Sequence, residues 1–292
     1  MKFLSSKIIT TALLAIGVVA AAPAQAFTIN FDEGFGGTPG DGTRITDQYY
    51  NDFGITFDTN RRHGLLLYDT ECVGKNGSST NGFTNACTGG DEDLATGRGE
   101  YKNGRYDYDT EAQGNVLIIQ EDGSNTPDDH RNGGLVNLNF ATSDTSGNQF
   151  YEDGITLDNF LFVDLDEAVI SNKKLKFNFE YVDSSRNPFE INKNNYSNFI
   201  TENLLSTDWD GNALEGDNSL RQYTFNNNGG QFDGIQKVTV NYNGISGAIA
   251  SFDYSATPGS QASNPVEVPE PVSIGALGLL AAGMLRMKKG SK

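Results

Sequence analysis

The chain has 292 residues and a formal net charge of −17, with 38 Asp and Glu against 21 Lys and Arg. A surface this acidic repels nucleic acid and anionic lipid, so neither is an expected partner of the folded part; metal cations and neutral glycans suit it better. The central part of the chain, without its N-terminal and C-terminal segments, is long enough to bury a full core in one domain.

The N-terminus has the pattern of a secretory signal peptide. A basic start and an apolar stretch precede the sequence AQA, in which Ala24 and Ala26 supply the small-x-small cleavage pattern. We predict a signal peptide over residues 1–26 and cleavage by signal peptidase before Phe27. The protein is therefore expected to be exported across the inner membrane.

Residues 27–255 are predicted to fold as one all-β ectodomain. Short apolar or alternating segments are separated by turns rich in Gly, Asn and Asp, without any βα alternation. The predicted strands lie at residues 27–31, 55–57, 65–68, 115–120, 135–140, 155–165, 175–182, 223–225, 238–242 and 249–254. This pattern favours an antiparallel β-sandwich of jelly-roll type, with a polar surface excursion over about residues 70–114.

Cys72 and Cys87 are the two cysteines of the chain, and both lie in the part predicted to be exported. Export delivers them to an oxidising compartment, so we predict a structural disulfide between them. The alternative is a metal-binding or catalytic thiol, but the fourteen intervening residues match no paired Cys-x-x-Cys spacing.

Several groups of carboxylates are candidate calcium ligands, because calcium prefers hard oxygen donors from loops. The grouping of Asp253 with Asp32 and Glu33 depends on the expectation that the first and last strands of a jelly roll lie side by side. The alternative is that these are ordinary solvated turns, and no EF-hand spacing is present. The candidates are Asp91, Glu92 and Asp93; Asp128 and Asp129; Asp164 and Asp166; and Asp32 and Glu33 together with Asp253.

The C-terminal end has three parts. Residues 256–267 are rich in small and polar residues, which predicts a flexible linker. Residues 268–292 then contain a Pro-Glu-Pro tripeptide, fourteen uncharged residues and a basic tail. The uncharged run predicts a short transmembrane helix of about 21 Å, whose flanking cations hold its end on the cytoplasmic side. Those cations are Arg286, Lys288, Lys289 and Lys292.

This tripartite end closely resembles the PEP-CTERM sorting signal of envelope proteins from Gram-negative bacteria. The resemblance implies that Pro269, Glu270 and Pro271 are recognised by a membrane enzyme of the exosortase type. That enzyme cuts near the motif and releases or re-anchors the protein in the cell envelope or extracellular matrix. One departure is the length of the apolar run, which is short of the ~30 Å hydrocarbon core, although Lys and Arg stems can extend it by snorkelling.

A second resemblance covers about residues 27–170. The segments ITDQYYNDFGITFD, TGGDEDLATG, GNVLIIQED and PDD look like a recurring ectodomain of PEP-CTERM-bearing proteins. This resemblance implies export and a β-sandwich, and it implies no reaction.

The sequence offers little support for catalysis. It has two histidines and no nucleophile elbow, P-loop or dinucleotide fingerprint. A glycosidase needs only two carboxylates, and the 38 acidic residues leave such a pair open. We therefore expect a non-enzymatic envelope or matrix protein, with exopolysaccharide and calcium as candidate ligands. The alternative is a secreted polysaccharide-active hydrolase.

Overall fold

The predicted all-β antiparallel class is confirmed. The computed structural model describes residues 25–33, 39–72, 87–88, 92–97, 101–102, 105–106, 108–143, 150–165, 175–208, 212, 217–227 and 229–256. The strands are β1 Gln25–Asn30, β2 Arg44–Ile45, β3 Ile55–Thr59, β4 Leu65–Asp69, β5 Tyr101–Lys102, β6 Arg105–Tyr106, β7 Tyr108–Asp109, β8 Asn115–Ile119, β9 Leu135–Phe140, β10 Ile155–Val163, β11 Lys176–Tyr181, β12 Phe189–Ile191, β13 Ile200–Leu204, β14 Thr207–Asp208, β15 Leu220–Phe225, β16 Ile235–Asn241 and β17 Ala248–Ala256. Two short helices, α1 Tyr50–Phe53 and α2 Tyr196–Phe199, and a 3-10 turn at Glu92–Leu94 complete the described elements.

Thirteen of these strands join one curled antiparallel sheet. The strands β10 and β16 meet at the single register pair of Ile155 with Ile235, and this short contact divides the sheet into two halves. On one side of the contact lie β12, β11, β16, β9 and β3, which we call the front half. On the other side lie β13, β15, β10 and β17, followed by β1 and by β8, β4 and β2, which we call the back half.

The core lies between the two halves and is dominated by aromatic rings. Phe177 of the front half packs against Phe160 and Phe225 of the back half, with ring centroids 6.0 and 5.2 Å apart. Phe57 and Phe140 of the front half both contact Phe252 of β17. Alternation explains this arrangement, because every second residue of a strand points to the same face. The two halves are therefore joined by one continuous apolar cluster.

The first and last strands of the domain lie side by side. β1 pairs with β17 along its whole length, and Phe27 stands opposite Tyr254. The strand begins at Gln25, opposite Ala256, so the predicted signal cleavage before Phe27 falls inside β1. The two ends of the domain are adjacent as a result.

The polar stretch from about residue 70 to residue 114 is more closely attached to the domain than its composition suggests. Leu94 and Ala95 are almost fully buried and form a second apolar cluster with Val116 and Leu220 on the outer side of the back half. The expectation of a surface excursion is thus wrong for this part. Two apolar residues inside a polar run have no periodicity that would reveal their burial.

Both predicted membrane-directed segments lie largely outside the described residues. These are the signal peptide as far as residue 24 and the C-terminal segment from residue 257 onward, which includes Pro269, Glu270 and Pro271. Where the structure describes the chain, it contains no helix that is both long and apolar enough to cross a membrane.

Candidate functional site

Four carboxylates gather near one end of the back half, where β1 and β4 end and β8 begins. Asp32 follows β1, Asp69 is the last residue of β4, and Asp41 and Glu71 lie in the adjoining loops. Their charges influence one another, as the pKa shifts described below show. We call these four residues the acidic group.

Asp32 is held in place by the start of β8. The backbone N–H of Asn115 donates to Asp32 Oδ1 at 2.8 Å, and the Asn115 side-chain amide donates to the same oxygen at 3.0 Å. That amide also donates to the carbonyl of Pro39 at 3.1 Å. Gly114 has a positive φ of 63°, and a Cβ at this position would overlap the Asp32 carboxylate. The close approach of Asp32 to this turn therefore requires glycine.

Asp41 is fixed by contacts with the end of β4. Its Oδ1 accepts the backbone N–H of Asp69 at 3.0 Å and the hydroxyl of Thr88 at 3.3 Å. The Asp69 Oδ1 in turn accepts the backbone N–H of Glu71 at 2.9 Å. These contacts hold the carboxylates close together despite their mutual repulsion.

The electrostatic consequence is a raised proton affinity at two members of the group. Burial raises the pKa of Asp69, and the charges of Asp41 and Asp32 raise it further against the opposing backbone hydrogen bond from Glu71. Burial likewise raises the pKa of Glu71, with smaller contributions from Asp69 and Asp32. Burial and the charge of Asp32 also raise the pKa of the neighbouring Tyr49 phenol. A cation bound here would relieve this repulsion.

The acidic group is not a ready-made metal centre. Over the described ranges, no set of three or more His, Cys, Asp or Glu side chains could hold a metal ion as arranged. A calcium ion at the acidic group would therefore have to draw on backbone carbonyls, such as that of Pro39, and on water as well.

The structure separates Asp253 from Asp32, although β1 and β17 pair as expected. Asp253 stands opposite Thr28, whose hydroxyl donates to its Oδ1 at 2.6 Å, and its Oδ2 accepts the Asn159 amide at 2.6 Å. Burial raises the pKa of the nearby Asp158, with Asp253 and Asp233 adding to the effect. Asp253 thus belongs to a second carboxylate cluster, on the outer side of β10 and β17.

Two other predicted ligands have contacts within the fold. Asp129 is 9% exposed, and its Oδ2 accepts the backbone N–H of Gly247 at 2.7 Å. Asp164 is 2% exposed, has a positive φ of 54°, and donates its backbone N–H to the carbonyl of Ser219 at 2.9 Å. Asp129 connects the segment after β8 to the start of β17, and Asp164 connects the end of β10 to the residue before β15.

The remaining predicted ligands are scattered. The backbone of Asp128 bonds with Gln120 and Glu121, and Glu33 is exposed. The carbonyl of Asp93 accepts hydrogen bonds from Asn218. Asp91, Asp166 and the side chain of Glu92 lie outside the described residues.

The predicted disulfide is confirmed. Cys72 and Cys87 are bonded, with an S–S distance of 2.12 Å and Cα atoms 4.8 Å apart. Cys72 is 6% exposed, and its sulfur lies 3.3 Å from the hydroxyl of Tyr68. The bond joins the end of β4 to the segment that carries Thr88, next to the acidic group. Neither cysteine is free to act as a thiol.

Sequence reasoning missed three of the four members of the acidic group. Asp41, Asp69 and Glu71 come from a loop and a strand end that meet only through the pairing of β2 with β4. No spacing in the sequence marks them as a set. A partial signal is that Asp69 ends the apolar segment LLLYD, where a strand end places its carboxylate at the sheet edge.

The chain matches no protein-family model, no curated protein and no solved structure. The structure defines the class of protein. The protein has an antiparallel all-β domain with paired first and last strands, a disulfide, and the acidic group beside that disulfide. Its role has to be argued from these features and from the two chain ends.

Proposed function

We propose that the protein is an exported, non-enzymatic component of the cell envelope or extracellular matrix, sorted through a PEP-CTERM signal by an exosortase-type enzyme. The sorting part rests on the order of the three segments in residues 268–292. One observation from the fold carries the export part, namely the disulfide between Cys72 and Cys87. Disulfides persist in oxidising compartments outside the cytosol, so their presence in the fold supports export.

The arrangement of the chain ends supports processing at both of them. Removal of residues 1–26 would leave Phe27, opposite Tyr254, at the start of β1, and the chain leaves the domain after Ala256. Cleavage at the two predicted sites would therefore remove only Gln25 and Ala26 from the strand pairing and leave the core residues in place. The facing halves and the paired terminal strands also support the finer proposal of a jelly-roll β-sandwich.

Calcium is the cofactor that we propose for this domain, at the acidic group. Its support is the half-buried position of Asp69 and the mutual repulsion that raises the pKa values of Asp69 and Glu71. Burial of like charges is costly unless a counter-ion or a proton neutralises them. Calcium ions outside the cell are available to act as this counter-ion.

The sorting signal is tested by changing the motif while leaving the rest of the chain intact. In a host that carries an exosortase-type enzyme, Pro269→Ala with Pro271→Ala should be exported but should accumulate as a membrane-bound precursor. Pro265→Ala, in the neighbouring linker, is the matched control and should be processed like the parent. Immunoblots of membrane and secreted fractions measure both outcomes. Normal release of the motif variant would overturn the sorting proposal.

The non-enzymatic assignment is tested separately. The secreted protein is incubated with polysaccharides, and the release of reducing sugar is measured against time. We expect none above that of buffer alone. Steady release that depends on protein concentration would instead favour the polysaccharide-active hydrolase.

A further inference from the structure

The outer face of the front half carries an array of polar side chains. Its strands are in register, so the outward residues form rows that cross the sheet, and two neighbouring rows make up this array. One row crosses five strands and is Asp58, Asn137, Thr239, Asn178 and Glu190; the other is Thr56, Asn139, Lys237 and Glu180. We call these nine residues the polar face. With neighbouring strands about 4.8 Å apart, the longer row extends over about 19 Å.

Hydrogen bonds between the side chains fix the geometry of this face. The amide of Asn137 donates to Asp58 Oδ1, and the amide of Asn139 donates to Asp58 Oδ2 at 3.1 Å. The hydroxyl of Thr239 donates to Asn137 Oδ1 at 2.7 Å. A surface that is ordered before binding loses less conformational entropy when a ligand arrives.

These internal bonds do not use all the hydrogen-bond donors and acceptors of the polar face. A side-chain amide has two N–H donors and two acceptor lone pairs. Asn137 uses one donor on Asp58 and one lone pair on Thr239, and therefore retains one of each. None of the nine side chains of the polar face is aromatic, so stacking on a ring is not available. The chemistry offered is a regular array of donors and acceptors.

The polar face is negatively charged, like the protein as a whole. Its three carboxylates and one ammonium group sum to −2, and Lys237 and Glu180 form an ion pair with a nitrogen–oxygen distance of 3.2 Å. The Asp58 carboxylate accepts hydrogen bonds from two amides, and Glu190 accepts one from Asn192 at 2.6 Å. A negatively charged face repels a polyanion. Its carboxylate and amide oxygens can accept hydrogen bonds from the hydroxyl groups of an uncharged ligand.

We propose that the polar face binds a neutral polysaccharide through hydrogen bonds to its hydroxyl groups, a proposal that rests on the function proposed above. Hydroxyls both donate and accept, as the exposed amides do. Each contact is weak because it replaces contacts with water. A long polymer presents many repeats to the same row, so its binding is strengthened by multivalency while short oligosaccharides bind weakly.

The test measures co-sedimentation or gel retardation of the full chain with two neutral polysaccharides, a β-glucan and a galactomannan, and with the polyanion alginate. The variant Asn137→Val with Asn178→Val removes amides from the longer row and keeps strand-compatible side chains. Asn203→Val is the matched control, because Asn203 is an exposed strand residue of β13 in the back half. Melting curves of all three proteins establish that the fold is retained.

We expect the parent and Asn203→Val to bind at least one neutral polymer, and the double variant to lose at least tenfold in apparent affinity. A second variant, Thr56→Val in the other row, should lose less. Equal retention of the parent and the double variant would overturn the inference, as would failure of the parent to bind any neutral polymer or a preference for alginate. None of these outcomes affects the processing assay at Pro269 and Pro271, so the two proposals fail separately.

Discussion

The carboxylate of Asp129 accepts a hydrogen bond from the backbone N–H of Gly247 at 2.7 Å, although the two residues are 118 positions apart. Both partners are buried, and Gly247 immediately precedes the last strand. Burial and the charge of Asp129 together raise the pKa of the neighbouring Tyr242. One side chain thus holds the turn that leads into β17.

Asp129→Ala should therefore destabilise the domain. It leaves the buried N–H of Gly247 without an acceptor, which costs about 1–3 kcal/mol. Asp129→Asn keeps an acceptor oxygen and should lose less. Urea unfolding measures the difference, with the exposed Glu152→Ala as the control. If Asp129→Ala unfolds at the same urea concentration as the control, the bond does not stabilise the turn.

Removal of the disulfide should lower stability by about 3 kcal/mol, the value expected for closing a loop of this size in the chain-entropy model. The bonded residues are separated by 15 positions. Cys72→Ser with Cys87→Ser should lower the melting temperature by roughly 6–12 °C. The parent treated with reductant should behave in the same way. Thiol labelling of freshly secreted, unfolded protein should detect no free cysteine, and two labelled thiols would contradict the prediction.

The acidic group should make stability fall as pH rises in the absence of calcium. Asp69 and Glu71 have pKa values raised above 3.8 and 4.5, so the folded state binds more protons than the unfolded state. The free energy of unfolding then decreases with pH from about pH 4 upward, through the raised values. Asp69→Asn should flatten this dependence, as measured by urea unfolding at a series of pH values in chelator.

A carboxyl group with the opposite shift provides the control for that experiment. Hydrogen bonds from the side chain and backbone of Ser185 lower the pKa of the exposed Asp183. Asp183→Asn should therefore not flatten the fall in stability. If Asp69→Asn and the parent show the same pH profile, repulsion within the acidic group does not influence folding.

Calcium should stabilise the folded domain beyond the effect of ionic strength. A ligand at a hundredfold excess over its Kd stabilises by about 2.7 kcal/mol, which corresponds to roughly 5–10 °C in melting temperature for a domain of this size. Sodium at matched ionic strength reproduces only general screening. Asp41→Asn with Asp69→Asn should abolish the excess, whereas Asp158→Asn, in the second cluster, should retain it. Equal shifts in the two salts would reject the calcium site.

The long strands could be predicted from the sequence because their patterns are local. The alternation over residues 135–140 predicts β9 with the same bounds, and the run at 155–165, which is apolar on both faces around residues 160–163, contains the central strand β10. The strands β12 and β13 were not predicted, because three to five residues of mixed polarity have no clear period. Helix α1 is a single turn and carries no amphipathic pattern.

The candidate site was less predictable, for a tertiary reason. Adjacent carboxylates such as Asp128 and Asp129 are conspicuous in a sequence, yet neighbours on a strand or tight turn point in different directions. The Asp129 carboxylate accepts a hydrogen bond from the buried N–H of Gly247, whereas the backbone N–H of Asp128 donates to the side chain of Gln120. Asp41 and Asp69 come together through β-sheet register and a turn, which only the complete fold specifies.

The pairing of β1 with β17 also determines when folding of the domain can be completed. Among the strands that the structure describes, β1 is the first to be synthesised, and its partner β17 is the last. A chain that emerges from its N-terminus, from the ribosome or by the proposed export, can cover Phe27 and Ile29 with their ladder partners only after residue 254 has emerged. Contacts of such long sequence separation form slowly. Until then the apolar side of the first strand is open to contacts with other chains, and the strong negative charge of the sequence helps to keep incompletely folded molecules apart.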